Sequence, residues 1–118
     1  TDFQVEFQKL KDLKTGPNIG YFLGHNSLRQ SSGVNYDSIP SEEGLHRMKS
    51  YLEAALKSGA FGMSTGLEYN PGSFSQENEL KELAKIVGTH GGIIKSHMRN
   101  EDDSEVENSI RELPAQGQ

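Results

Sequence analysis

A histidine that closes a short apolar run, with polar and charged residues following at once, is placed for metal ligation or acid–base work at the end of a strand. The chain carries that arrangement at Ile93-Ile94-Lys95-Ser96-His97-Met98-Arg99-Asn100-Glu101. Two earlier segments share the form. Ile19-Gly20-Tyr21-Phe22-Leu23 runs into Gly24-His25-Asn26-Ser27-Leu28-Arg29, and Phe61-Gly62-Met63-Ser64 runs into Thr65-Gly66-Leu67-Glu68-Tyr69. In parallel α/β folds the carboxyl ends of the strands build the active site, so three such ends point to one shared rim. A neutral imidazole held firmly by strand geometry is a good zinc ligand; the plainer role for His97 is a hydrogen bond to neighbouring backbone.

The other polar residues divide the same way. The Tyr69 hydroxyl can meet a substrate carboxylate or carbonyl, or its ring can pack over the rim. Arg99 can support an anionic substrate, or it can pair with Glu101 or Asp102, the structural pairing being preferred. His25 and Arg29 can shape a pocket or brace the loop after the first strand, and bracing is preferred. Ser64 and Thr65 read as turn residues, since no histidine–aspartate partner accompanies them. His46 falls on a helix flank and His90 near a helix C-terminus, where the dipole favours it. Glu101-Asp102-Asp103 lacks the ligand spacing and glycine of a calcium loop. The chain has 13 glycines, but no Gly-x-Gly-x-x-Gly follows a strand and no phosphate-binding Walker loop is present.

The elements that must position these groups alternate. Phe3, Phe7 and Leu10 recur at helical spacing until Thr15-Gly16-Pro17. A strand over Ile19–Leu23 follows, then a polar connection from Gly24 to Pro40 without clear period; loops this long are often functional. Ser41 is an N-cap, with Glu42 and Glu43 in the first turn and a stripe of Leu45, Met48, Leu52, Ala55 and Leu56. A strand near Ala60–Ser64 leads into a loop with the turn signal Asn70-Pro71-Gly72. Ser75 is read as the cap of the next helix, whose stripe is Leu80, Leu83, Ala84 and Val87. The third strand is Ile93–Ser96. Ser104-x-x-Glu107 has the form of a capping box before a stripe of Val106, Ile110 and Leu113, which Pro114 breaks. The order α-β-α-β-α-β-α implies parallel strands with right-handed crossovers. Tight helix-to-strand joins and long polar strand-to-helix loops match the asymmetry of a (β/α)8 barrel, whose catalytic face lies on the latter. Three strands cannot close a barrel and leave two raw sheet edges. The expectation is therefore that residues 1–118 are a single segment of a larger chain, the alternative being a small three-layer α/β domain with a short sheet; the chain's lack of an initial methionine agrees with the former.

Bulk properties narrow the function classes. The chain has 118 residues, a net charge of −5 and 32% hydrophobic residues, with a mean hydropathy of −0.70. Its 12 basic and 17 acidic residues are mixed, so no basic stripe exists to neutralise nucleic-acid phosphates. There are no cysteines, which excludes disulfides and thiolate metal sites from the segment. No apolar run approaches the roughly 20 residues of a membrane helix. The opening Thr1-Asp2-Phe3-Gln4 lacks the basic start and apolar core of a signal peptide, and a cytoplasmic location is expected.

Taken together, the Gly24–Arg29 motif, the run Gly59-Ala60-Phe61-Gly62-Met63-Ser64-Thr65-Gly66-Leu67-Glu68-Tyr69 and the run Ser96-His97-Met98-Arg99-Asn100-Glu101 resemble the N-acyl-D-amino-acid deacylases, or D-aminoacylases, of the amidohydrolase superfamily. The helix led by Ser41-Glu42-Glu43 fits as well. The resemblance spans this chain but only about a quarter of such an enzyme, which carries a full (β/α)8 barrel. It implies that the three strands are barrel strands three to five, that His97 binds zinc, and that Tyr69, with Arg99 beside it, contacts the substrate. It implies a zinc centre of one or two ions and an N-acyl-D-amino acid as the small-molecule substrate. The remaining groups are expected outside the segment: an upstream His-x-His, an upstream cysteine or glutamate, a downstream histidine, and a late aspartate that shuttles the proton. No catalytic residue proper is therefore expected within it, and the isolated segment is expected to be inactive. Many amidohydrolases bridge two metals with a carboxylated lysine on strand four, and no lysine lies between Ala60 and Tyr69. A second reading from another class is a truncated, non-catalytic α/β module that forms homo-oligomers, or binds a partner, through its open sheet edges.

Overall fold

Backbone pairing falls within or at the carboxyl ends of the three apolar runs and organises three parallel strands into one sheet. The computed structural model describes residues 3–13 and 16–117. Thr1, Asp2, Thr15, Gln118 and the Phe3 side chain, all used in the sequence reading, lie outside that description. The elements are α1 (Phe3–Asp12), β1 (Phe22–Gly24), α2 (His25–Ser31), α3 (Glu42–Lys57), β2 (Gly62–Gly66), a 3-10 turn over Gly72–Phe74, α4 (Glu77–Thr89), β3 (Ile93–His97) and α5 (Val106–Gln116). The sheet order is β1-β2-β3. Leu23 is in register with Met63, and Met63 with Ile94. The amides of Phe61 and Ile93 extend the ladder by donating to the Tyr21 and Phe61 carbonyls, at 2.9 and 3.0 Å.

One close approach dictates a residue type. A Cβ on Gly62 would lie 1.7 Å from the Ile93 carbonyl oxygen, so only glycine lets β2 and β3 pair at this point.

The helices bury the faces that their spacing predicts. The Ser41 hydroxyl accepts the Gly44 amide at 3.0 Å, so α3 is capped as expected. Met48, Leu52, Ala55 and Leu56 on α3, and Leu80, Leu83, Ala84 and Val87 on α4, are buried. Leu23 and Met63 meet them from the sheet, and Leu28 and Val34 from the segment after β1. Each such leucine or methionine contributes about 1.5–3 kcal/mol by leaving water. On the rim of this core Lys49 of α3 pairs with Glu82 of α4 at 2.7 Å. With Lys85 also bonded to it, the Glu82 carboxyl is held down at about 2.

Several expectations need correction. The connection after β1 is not irregular throughout, because α2 occupies its first seven residues. Its inward residues are His25, Leu28 and Arg29, two of them polar, so no apolar period announced it. β1 starts later than Ile19, which is 48% exposed and outside the ladder. Ser75 does not cap α4; its hydroxyl donates to the Gly72 carbonyl at 2.6 Å, and Gln76 stands at the N-cap. The capping box at Ser104 does not form either, since Glu105 is the N-cap of α5 and its side chain caps no backbone amide. Pro114 lies inside α5 rather than ending it. The predicted α5 stripe is not buried: Ile110 is 53% exposed, and Ser109 and Gln116 turn inward instead.

Candidate functional site at the carboxyl ends of the strands

The carboxyl ends of β2 and β3 bring Tyr69 and His97 together. Gly66 and His97 are register partners, the last of the β2–β3 ladder, and just beyond it the Leu67 amide donates to the His97 carbonyl at 3.4 Å. The chain then turns, with the Tyr69 amide on the Gly66 carbonyl at 3.1 Å. This turn lays the Tyr69 ring edge-on to the His97 imidazole, with centroids 5.2 Å apart. Below them Thr65 and Ser96 join their hydroxyls at 2.5 Å, tying the two strand ends together.

His97 Nδ1 lies 3.0 Å from the Met98 carbonyl oxygen. A carbonyl only accepts, so this bond requires the proton on Nδ1 and leaves the neutral ring its lone pair on Nε2. Metal-binding histidines are commonly oriented in this way by a second, backbone-bonded nitrogen. Glu68 and Glu101 flank the ring, with carboxylate oxygens 3.7 Å from Nδ1 and 3.5 Å from Nε2. The donor set thus fits one imidazole ligand of a first-row metal. Among the described residues no group of three or more His, Cys, Asp or Glu could hold an ion. A four-coordinate site built on His97 would need donors beyond those the described residues bring to it.

Arg99 does not pair with Glu101 or Asp102. Its Nε and Nη2 form a fork on the Glu112 carboxylate of α5, the shortest contact being 2.7 Å. Nη1 donates to the Ser73 carbonyl at 2.8 Å and Nη2 to the Ser75 carbonyl at 3.1 Å. Four of the five guanidinium N–H groups are therefore committed to protein.

His25 and Arg29 brace the fold, as preferred from sequence. Both are fully buried on α2 and face Glu79 of α4. His25 Nε2 is 2.7 Å from one Glu79 oxygen and Arg29 Nη1 is 3.5 Å from the other. Arg29 also donates to the Asp37 carbonyl, closing the loop after α2. Burial lowers the Arg29 pKa, and the charges of Glu79 and Asp37 oppose that shift. His46 is exposed on α3, and His90 bonds its Nδ1 to the Ile86 carbonyl at the end of α4. Glu79 and Glu112 were not singled out from sequence. A glutamate on a helix ordinarily faces water; Glu79 at least neighbours the apolar stripe of α4, whereas Glu112 carried no such hint, because the inward side of α5 is not the one its apolar stripe predicts.

No protein-family model matches the chain. Over 116 residues it is 34% identical to an N-acyl-D-glutamate deacylase of Alcaligenes xylosoxydans xylosoxydans, a match covering 98% of this chain and 24% of that relative. It is 33% identical over 94 residues to a D-aminoacylase of the same organism, covering 80% of this chain and 19% of the relative. Among solved structures it aligns with the N-acyl-D-glutamate deacylase of Bordetella bronchiseptica, crystallised with zinc and a phosphonate mimic of the tetrahedral intermediate. That TM-score is 0.92 at 34% identity, over 98% of this chain and 24% of that one. A D-aminoacylase described as defining a novel subset of amidohydrolases aligns with a TM-score of 0.90 at 27% identity, again over 98% and 24%. The chain spans about a quarter of the length of the relatives it matches. It consists of three βα units of their (β/α)8 barrel.

Proposed function

We propose that this chain, which corresponds to an internal quarter of the N-acyl-D-amino-acid deacylases, forms part of a zinc-dependent catalytic barrel that hydrolyses the amide of N-acyl-D-amino acids. The observation that carries the reading is the imidazole of His97. It stands at the carboxyl end of β3 with Nδ1 on a backbone carbonyl, and Tyr69 lies against it at 5.2 Å. In this reading residues 1–118 are one segment of that barrel, and His97 holds the metal through Nε2. Zinc, when bound, supplies Lewis acidity toward an amide carbonyl and toward water. Tyr69, 54% exposed, is free to offer its hydroxyl to the substrate and orient it. Thr65 and Ser96 fix the spacing of the strand ends that carry these two groups. The aspartate that passes a proton to the leaving amine lies outside the segment.

The test is enantiomer-resolved hydrolysis by the complete zinc-loaded protein that contains this segment. The reading predicts release of free amino acid from N-acetyl-D-glutamate, N-acetyl-D-aspartate or N-acetyl-D-methionine, with little from the L-enantiomers. Equal turnover of both hands, or none of either, contradicts it.

A second reading, a non-catalytic α/β module that oligomerises, draws support from the apolar side chains left in water near the sheet edges. Ile93 is 61% exposed and Ile19 48%. Self-association of the 118-residue chain, measured by analytical ultracentrifugation, would favour it. In a full barrel the neighbouring strands cover the same edges.

A further inference from the structure

The guanidinium of Arg99 sits two residues from His97 yet reaches away from the strand, and where it goes bears on Tyr69. The loop between β2 and α4 starts at the rim, carries Tyr69 outward, and returns through the 3-10 turn. Within it the Ser73 amide donates to the Tyr69 carbonyl at 2.9 Å. The Ser73 and Ser75 carbonyls are the two that accept from Arg99. The other side of the same guanidinium is clamped by Glu112 of α5. Arg99 is 29% exposed and Glu112 18%, so the fork is partly shielded from water and held in one geometry. One residue thus ties three things together: the segment after the β3 histidine, the loop that presents Tyr69, and the helix behind them.

We infer that Arg99 is a positioning residue that acts on the substrate through Tyr69, and that Glu112 is the anchor that holds it. This rests on the deacylase reading above. It differs from a direct substrate contact in a checkable way. A direct substrate contact would show as a raised KM, whereas a clasp acts on kcat and needs both ends. Arginine is required because only a planar fork reaches two carbonyls and a carboxylate at once; lysine keeps the charge but not the geometry.

The experiment compares Arg99→Ala, Arg99→Lys, Glu112→Ala and the double variant in the complete zinc-loaded protein. The probe is whichever of N-acetyl-D-glutamate, N-acetyl-D-aspartate and N-acetyl-D-methionine the unsubstituted protein turns over fastest. Zinc content and the amide exchange of residues 69–75 are followed in each. Loss of outer support for a site commonly costs 10- to 100-fold. The clasp predicts a fall in kcat of about that size in both alanine variants, with KM moving little. It predicts a double variant no worse than either single, partial rescue at most by lysine, unchanged zinc, and faster exchange over residues 69–75. Normal activity in Glu112→Ala with a raised KM in Arg99→Ala would overturn it and make Arg99 a direct ligand. Faster exchange with unchanged kcat would overturn it as well, leaving a structural tie alone. An unsubstituted protein inactive on all three probes would instead bring down the deacylase reading, and the role of Arg99 with it. If Arg99→Ala fails to fold, Arg99→Lys and Glu112→Ala carry the same comparison.

Discussion

At the scale of the residue, charge placement separates the rim from the interior. His97 and Tyr69 are half-exposed at the strand ends, whereas His25, Arg29 and Glu79 are sealed in the interior. A carboxylate between an imidazole and a guanidinium in a dry site is costly to disturb on one side only, because the partner left behind is a buried unpaired charge. Glu79→Gln keeps the shape and removes the charge that faces Arg29. It should lower stability by about 3–5 kcal/mol in urea unfolding. A loss below about 1 kcal/mol would mean that the Asp37 contacts alone satisfy Arg29. The sequence marked His97 and Tyr69 as candidates because each sits in a specific motif at a strand end, and the fold brings the two rings together. The sequence did not mark Glu79 or Glu112, because their partners are 54 and 13 residues away and only folding brings them together.

At the scale of the element, legibility followed the direction of burial. Helices α3 and α4 pack one apolar face on the sheet, and their stripes were readable at every position but Leu45, which is only half-buried. Helix α2 is buried through polar groups, so its seven residues carry no apolar period. Helix α5 has a stripe that the sequence predicts and the segment does not bury, since Ile110 faces outward. Val106 and Leu113 of that stripe are only half-buried, in keeping with a piece of a larger barrel. The strand pairing rests on Gly62, where the Ile93 carbonyl leaves no room for a side chain. Gly62→Ala should force β2 and β3 apart and cost about 1–3 kcal/mol, seen as a lower unfolding midpoint with unchanged slope. No change in the midpoint would show that the sheet spreads without penalty there.

At the scale of the whole molecule, the three parallel strands place their polar ends on one rim, with a donor set that is well formed but incomplete. One imidazole is oriented, a tyrosine lies beside it, and an arginine clasp holds the loop between them. The relatives sharing this fold are about four times as long, and in the proposed reading the remaining donors come from the rest of that length. No described helix is long and apolar enough to cross a membrane. The central claim is that His97 is a metal ligand of a D-selective amidohydrolase. It is tested most directly by measuring zinc content in the complete protein before and after His97→Ala, alongside hydrolysis of its N-acetyl-D-amino acid substrate. The account predicts loss of bound zinc and a fall in turnover of at least about 100-fold. Zinc content and turnover unchanged from the unsubstituted protein would contradict it.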